Sequence, residues 1–258
     1  MKTLELTRFA GLDYSCNEAL NTLCTNLSFA GSDVKKIMMT SCHAQEGKSF
    51  LTMALMRSLA NIGKNVVLVD ADLRRSMLAS RYGVKTDGKP LGLTHYLAGM
   101  CPMDDILYKT NIEGAYMILS GRDVANSLTL LSTERFPNLL DALSRMFDVV
   151  LVDCPPVGVI IDAAQIAKSC DGVVFVVSND SVTRRELADA RHQIEKTGCP
   201  ILGAVLNKVT FDTHSSKKYY YKTYYNHYAD GYYESAQTKI RRSSATVKSK
   251  GIKGTSAK

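Results

Sequence analysis

Met38-Met39-Thr40-Ser41-Cys42-His43-Ala44-Gln45-Glu46-Gly47-Lys48-Ser49 reads as a buried strand, a loop, and a Gly-Lys-Ser that opens a helix. Loops of this kind turn backbone N–H groups onto phosphate. The lysine reaches the outer phosphates and the serine hydroxyl can hold Mg2+. The spacing departs from G-x-x-x-x-G-K-[ST] at its first glycine, where Cys42 stands. Two further strands therefore have to support the reading.

They do so with carboxylates. Asn65-Val66-Val67-Leu68-Val69 runs into Asp70-Ala71-Asp72-Leu73-Arg74-Arg75, and Asp148-Val149-Val150-Leu151-Val152 runs into Asp153-Cys154-Pro155-Pro156. Carboxylates at the carboxyl ends of parallel strands face the crevice where α/β folds bind ligands. An acid after four apolar residues, across from a lysine loop, is the second acidic signature of phosphate-loop NTPases. One such strand end occurs by chance; three in this order argue for one site. A candidate acceptor lies far downstream. Residues 217–233 hold eight of the chain's thirteen tyrosines: Tyr219, Tyr220, Tyr221, Tyr224, Tyr225, Tyr228, Tyr232 and Tyr233. A phenol of pKa about 10 needs a nearby carboxylate to attack phosphorus at neutral pH.

The elements that position these groups are legible from periodicity. Helical spacing runs from Cys16 to Phe29, from Phe50 to a C-cap near Gly63, over Leu93 to Ala98, from Leu139 to Met146, and from Arg184 to Lys196. Apolar runs predict strands at Lys36 to Thr40, Asn65 to Asp70, Tyr116 to Leu119, Asp148 to Asp153, Val173 to Val177 and Ile201 to Leu206. Residues 1–12 show no clear period, and 76–115 read as loop-rich. Strands alternating with helices predict an α/β fold with a mostly parallel sheet and helices on both faces.

Composition narrows the class. The 258 residues are 45% hydrophobic and 22% charged, with no apolar run long enough to cross a membrane and no leader-like N-terminus. Seven scattered cysteines fit free thiols in a reducing cytosol and no zinc site. The net charge of +7 is uneven: from His214 to Lys258 there are ten Lys/Arg and two acids, so the remainder is near neutral. That balance argues against nucleic-acid binding by the folded part. Residues 1–213 read as one domain. Residues 214–258, rich in tyrosine and then in Ser, Thr, Lys and Gly, read as a flexible basic tail.

Taken together, Ala44-Gln45-Glu46-Gly47-Lys48-Ser49, Val69-Asp70-Ala71-Asp72-Leu73-Arg74-Arg75, Leu151-Val152-Asp153-Cys154-Pro155-Pro156, Gly203-Ala204-Val205-Leu206-Asn207-Lys208 and the tyrosine cluster resemble the bacterial tyrosine kinases of capsule and exopolysaccharide synthesis. The likeness is to the cytoplasmic type that is separate from its transmembrane adaptor. It implies a phosphate-loop NTPase fold and an ATP- and Mg2+-dependent protein-tyrosine kinase that autophosphorylates its terminal cluster. It implies nucleotide contacts from Ala44 through Phe50, with Lys48 on the β/γ-phosphates and Asn207 near the adenine. Ser49, Asp72 and Asp153 would serve the metal, and Asp70 would accept the tyrosine proton.

The resemblance also implies a polysaccharide co-polymerase-type adaptor that recruits the chain to the inner face of the membrane, a cognate phosphotyrosine phosphatase, and homo-oligomers through tail exchange. Two departures stand out. Gln45 replaces a family glycine in the loop. Asn21 and Cys24 replace the two arginines that follow the family's Glu, here Glu18, in the helix that bridges subunits into a ring. A partitioning-type ATPase, which carries a lysine where His43 stands, and a weakly active nucleotide-binding regulator are the alternatives.

Overall fold

The computed structural model describes residues 2–9, 11–179 and 181–209. The tyrosine cluster and the basic tail lie outside the described residues, so the expectations placed on them are not addressed by the fold.

Among the described residues nine strands form one sheet: β1 (Lys2–Leu6), β2 (Lys36–Ser41), β3 (Val66–Asp70), β4 (Val84–Thr86), β5 (Leu107–Thr110), β6 (Ala115–Ile118), β7 (Val149–Asp153), β8 (Gly172–Ser178) and β9 (Ile201–Asn207). Their order is β4-β1-β5-β6-β3-β7-β2-β8-β9. Only β1/β4 and β5/β6 pair antiparallel; the other six pairings are parallel. The α-helices among the described residues are α1 (Tyr14–Ser28), α2 (Lys48–Asn61), α3 (Leu78–Arg81), α4 (Leu93–Leu97), α5 (Ser127–Leu131), α6 (Arg135–Met146), α7 (Asp162–Ala167) and α8 (Arg184–Glu195).

The central strands are apolar throughout because both faces are covered. Val67, Val69, Val150 and Val152 join one core with Leu93, Phe136, Leu139 and Ala163 from α4, α6 and α7. Their neighbours Val66, Leu68 and Leu151 join a second core with Leu20 and Cys24 of α1 and Leu51 and Leu55 of α2. Successive strand residues face opposite ways, so a continuous apolar run feeds two layers at once. The architecture is that of a phosphate-loop NTPase, as expected.

Some local expectations need correction. Residues 1–12 carry β1 after all; only Leu4 and Leu6 are buried in it, too few to establish a period. The stretch 76–115 is not simply loop, since α3, β4 and β5 lie within it. These elements are three to four residues long, below the window that periodicity can resolve. Phe29, the end of the expected helical spacing, falls past the end of α1 and is 71% exposed, whereas Cys24 is buried. The position where the family carries an arginine therefore faces the core here.

Candidate active site

The sheet itself aligns the carboxylates. β7 lies between β3 and β2, with Asp70 level with Asp153 and Asp153 level with Met39. Level residues on parallel neighbours point to one face. That face is the one α2 covers. Lys48, at the start of α2, places its ammonium 2.6 Å from Asp153 Oδ1 and 3.2 Å from Ser49 Oγ. The Thr52 hydroxyl, one turn on, lies 3.2 Å from the same Asp153 oxygen.

The loop between β2 and α2 is held from several sides. Glu46 is buried; its carboxylate accepts from the backbone N–H of His43 at 2.8 Å and of Ser178 at 3.2 Å. Asn207, at the end of β9, donates to the Glu46 carbonyl at 2.8 Å, and Lys208 donates to the Gln45 carbonyl at 2.6 Å. A Cβ at Gly47 would stand 2.1 Å from the Asn207 amide nitrogen, and Gly47 has φ 90, so glycine is required there twice over. Gly47 caps α2 with no side-chain hydrogen bond, which leaves the first N–H groups of the helix for an anion. Gln45 adopts φ 66, the left-handed conformation a glycine would take without cost.

Asp70 has a distinct environment. Its Oδ2 accepts from the Ser76 hydroxyl, while Oδ1 is buried with no hydrogen-bond partner. Burial first, and the charge of Asp153 second, push its pKa from 3.8 to about 7. Asp72 is also raised, by burial against the pull of Lys48. Burial alone would lower Lys48, but the Asp153 pair outweighs it and holds the ammonium charged.

Residues 34–197 match the model of the AAA domain family. The chain is 36% identical over 192 residues to Tyrosine-protein kinase CpsD of Streptococcus agalactiae, covering 74% of this chain and 83% of that relative. The kinase domain of Escherichia coli tyrosine kinase ETK superposes with a TM-score of 0.73 at 28% identity, over 80% of this chain and 84% of that one. This chain belongs to the bacterial tyrosine kinases of the capsular type. The septum site-determining protein MinD of Pyrococcus horikoshii OT3, complexed with Mg-ADP, is a more distant likeness, with a TM-score of 0.58 at 25% identity over 67% of this chain and 69% of that one.

In this bacterial tyrosine kinase the expected residues converge unevenly. Lys48, Ser49, Asp70, Asp72 and Asp153 share one electrostatic neighbourhood. Ala44, Gln45, Glu46 and Gly47 form the loop, with Asn207 packed against its backbone. Phe50 turns its side chain into a cleft shared with Phe9 and Tyr82, leaving its backbone as the part that adjoins the loop. His43 turns to Glu186 of α8, 3.2 Å away.

The donor set suits Mg2+ bound with a nucleotide. Among the described residues no group of three His, Cys, Asp or Glu side chains forms a cage, and Mg2+ typically uses one or two carboxylates plus phosphates and water. Asp153, Asp72 and Ser49 can supply that share, and the unpartnered Asp70 Oδ1 marks an incompletely satisfied pocket.

Sequence reasoning missed a second layer. Arg74 donates to both oxygens of Asp162 at 2.8 and 3.1 Å, and Ser127 donates to the same carboxylate. Burial pushes Asp162 up, but these bonds outweigh it and the pKa falls. Arg74 thereby pins the segment after Asp72 to α7 and α5. Neither Asp162 nor Ser127 lies near Arg74 in sequence, so no motif could have found the triad.

Proposed function

We propose that this chain transfers the γ-phosphoryl group of ATP to tyrosines of its own terminal cluster, acting between copies, and thereby regulates capsular or exopolysaccharide synthesis. The observation that carries the reading is Asp70, a buried carboxyl with one free oxygen and a pKa of about 7, beside the Lys48–Asp153 pair. A base with that pKa is matched to deprotonating an acceptor at neutral pH.

Asp70 takes the phenolic proton as the tyrosine oxygen bonds to phosphorus and the bond to the leaving phosphate oxygen breaks. Lys48 exchanges Asp153 for the phosphates and neutralises their charge, while the N–H groups at the start of α2 orient them. Asp153, once free of Lys48, and Asp72 and Ser49 would hold Mg2+, which when bound would supply positive charge against the phosphates. Asn207 keeps the loop in register, next to where the base would lie.

The tail carries ten Lys/Arg against two acids from His214 to Lys258. Each phosphate adds about −1.5 to −2 charge, so several would reverse its sign and turn its attraction to acidic surfaces into repulsion. A transmembrane polysaccharide co-polymerase-type adaptor would recruit and activate the kinase at the inner face of the membrane, and a cognate phosphatase would reset the cluster.

The ATPase alternative is less well supported, because the MinD likeness is the weaker one and His43 stands in place of that class's lysine. The regulator alternative rests on Gln45 and on the missing arginines at Asn21 and Cys24; of these, Gln45 already takes the φ a glycine would. Phosphosite mapping of the wild type with Mg-ATP, beside Lys48→Met and Asp70→Ala, tests the proposal. The expected result is phosphotyrosine at residues 219–233 in the wild type only, and none there in any sample would sink it.

A further inference from the structure

A cleft of about 340 Å3 lies against the outer side of α2. Arg8 and Phe9 come from the link after β1, Phe50 and Arg57 from one face of α2, and Arg81 and Tyr82 from the end of α3. The backbone N–H groups of Thr7 and Arg8 both donate to the Tyr82 carbonyl at 3.1 Å, which fixes two walls to each other. Phe9 and Tyr82 rings meet at 5.4 Å, and the Arg57 guanidinium lies 5.3 Å over the Phe9 ring.

Two features define what this cleft can hold. Its walls are mostly aromatic, and three guanidinium groups, with no carboxylate partner among the described residues, converge on its rim. Three uncompensated forks around an aromatic slot suit an anion that brings its own ring. Guanidinium forks take phosphate oxygens in paired hydrogen bonds, and the ring packs on Phe9, Phe50 and Tyr82. The volume is at the lower end of the range for small-ligand pockets, ~300–1,000 Å3, which suits a single side chain.

We infer that the cleft formed by Arg8, Phe9, Phe50, Arg57, Arg81 and Tyr82 binds a phosphotyrosine from the terminal cluster of a second copy of this chain. The inference rests on the reading of that cluster as the phosphoacceptor. The cleft adjoins the active site: Phe50 follows Ser49 directly, and the Tyr82 hydroxyl feels the charges of Arg81, Asp153 and Arg57. α3 also begins two residues after Ser76, which holds Asp70. A tail anchored there by its first phosphate keeps its remaining tyrosines beside Asp70. The first phosphate is then added more slowly than those that follow.

The test uses the full-length chain, phosphatase-treated and free of nucleotide, with a fluorescein-labelled peptide of residues 217–228 phosphorylated on Tyr221. Anisotropy should show at least roughly 10-fold tighter binding than for the unphosphorylated peptide, and phenyl phosphate should compete better than inorganic phosphate. Arg81→Gln, on the exposed rim, and Arg57→Gln should each lose most of that preference with thermal unfolding unchanged. A preference below about twofold, equal competition by inorganic phosphate, or an unchanged preference in both folded variants would overturn the inference. Peptide binding without any tail phosphorylation in the mapping experiment would instead fail the kinase reading alone.

Discussion

Lys48 Nζ and Asp153 Oδ1 are 2.6 Å apart, with both side chains buried, at the point where α2 meets the carboxyl end of β7. The lysine that should meet phosphate is therefore held on the carboxylate that should serve the metal. The pair keeps both charges satisfied; in the roles proposed above, a nucleotide and its metal would offer each a new partner.

Lys48→Met should strand the Asp153 charge, and breaking a buried pair costs about 3–5 kcal/mol. Urea unfolding should show that loss, and adding Asp153→Asn should recover most of it. Neither variant should transfer phosphate. A Lys48→Met chain as stable as the wild type would show that the pair contributes nothing to the fold.

Asp70 sets a pH dependence of stability. Its carboxyl titrates near 3.8 when unfolded and at about 7 when folded, from burial first and Asp153 second. Between those values the folded chain holds a proton the unfolded chain has lost. The stabilisation is complete below about pH 4 and is lost as pH rises through about 7. Unfolding measured in chelator without nucleotide should show that decline, and Asp70→Asn should flatten it. Equal slopes in both would reject the assignment.

Gln45 and Lys208 both have positive φ, and the Lys208 ammonium reaches the Gln45 carbonyl. Gln45→Gly keeps that bond, because it goes to the main chain, and relieves a left-handed conformation costing about 1–2 kcal/mol. Gln45→Val puts a branched Cβ at φ 66 and should deform the loop. Titration with a fluorescent nucleotide and Mg2+ should rank affinity Gly above Gln above Val. The reverse order would mean that the Gln45 side chain itself contacts the ligand.

Arg74→Lys removes the two-pronged contact with Asp162 and leaves a point charge. Because Arg74 acts by pinning the segment that carries Asp72, kcat should fall more than KM rises. Stability should drop by about 1–2 kcal/mol. A change confined to KM would place Arg74 on the substrate instead.

Much of this was legible in the order of residues. The runs Val66 to Val69 and Val149 to Val152 can only be strands covered on both faces, and the acids ending them mark the ligand-binding edge. Gly47-Lys48-Ser49 requires a helix start, and the observed φ of Gly47 supplies the reason for its glycine. Short elements such as β1 and β4 were not legible, since β1 buries two residues and β4 none, which makes no period. The burial of Cys24 was not legible either: helical spacing over Cys16 to Phe29 did not single out the cysteine, and only the packing of α1 against α2 buries it beside Leu20.

The sequence by itself determined the fold class, the anion loop and the identity of the three carboxylates, because those depend on local pattern and on residue type. Only the tertiary structure decided what each group is paired with. The sheet order placed β7 between β2 and β3 and so put Asp153 within reach of Lys48. The closing of β9 onto the loop set Lys208 against Gln45, and the packing of α7 brought Asp162 to Arg74. These contacts join residues 88 to 163 positions apart. Environment, not spacing, then fixed their charges: burial first, and Asp153 second, raise Asp70, whereas the Arg74 and Ser127 donors outweigh burial and lower Asp162.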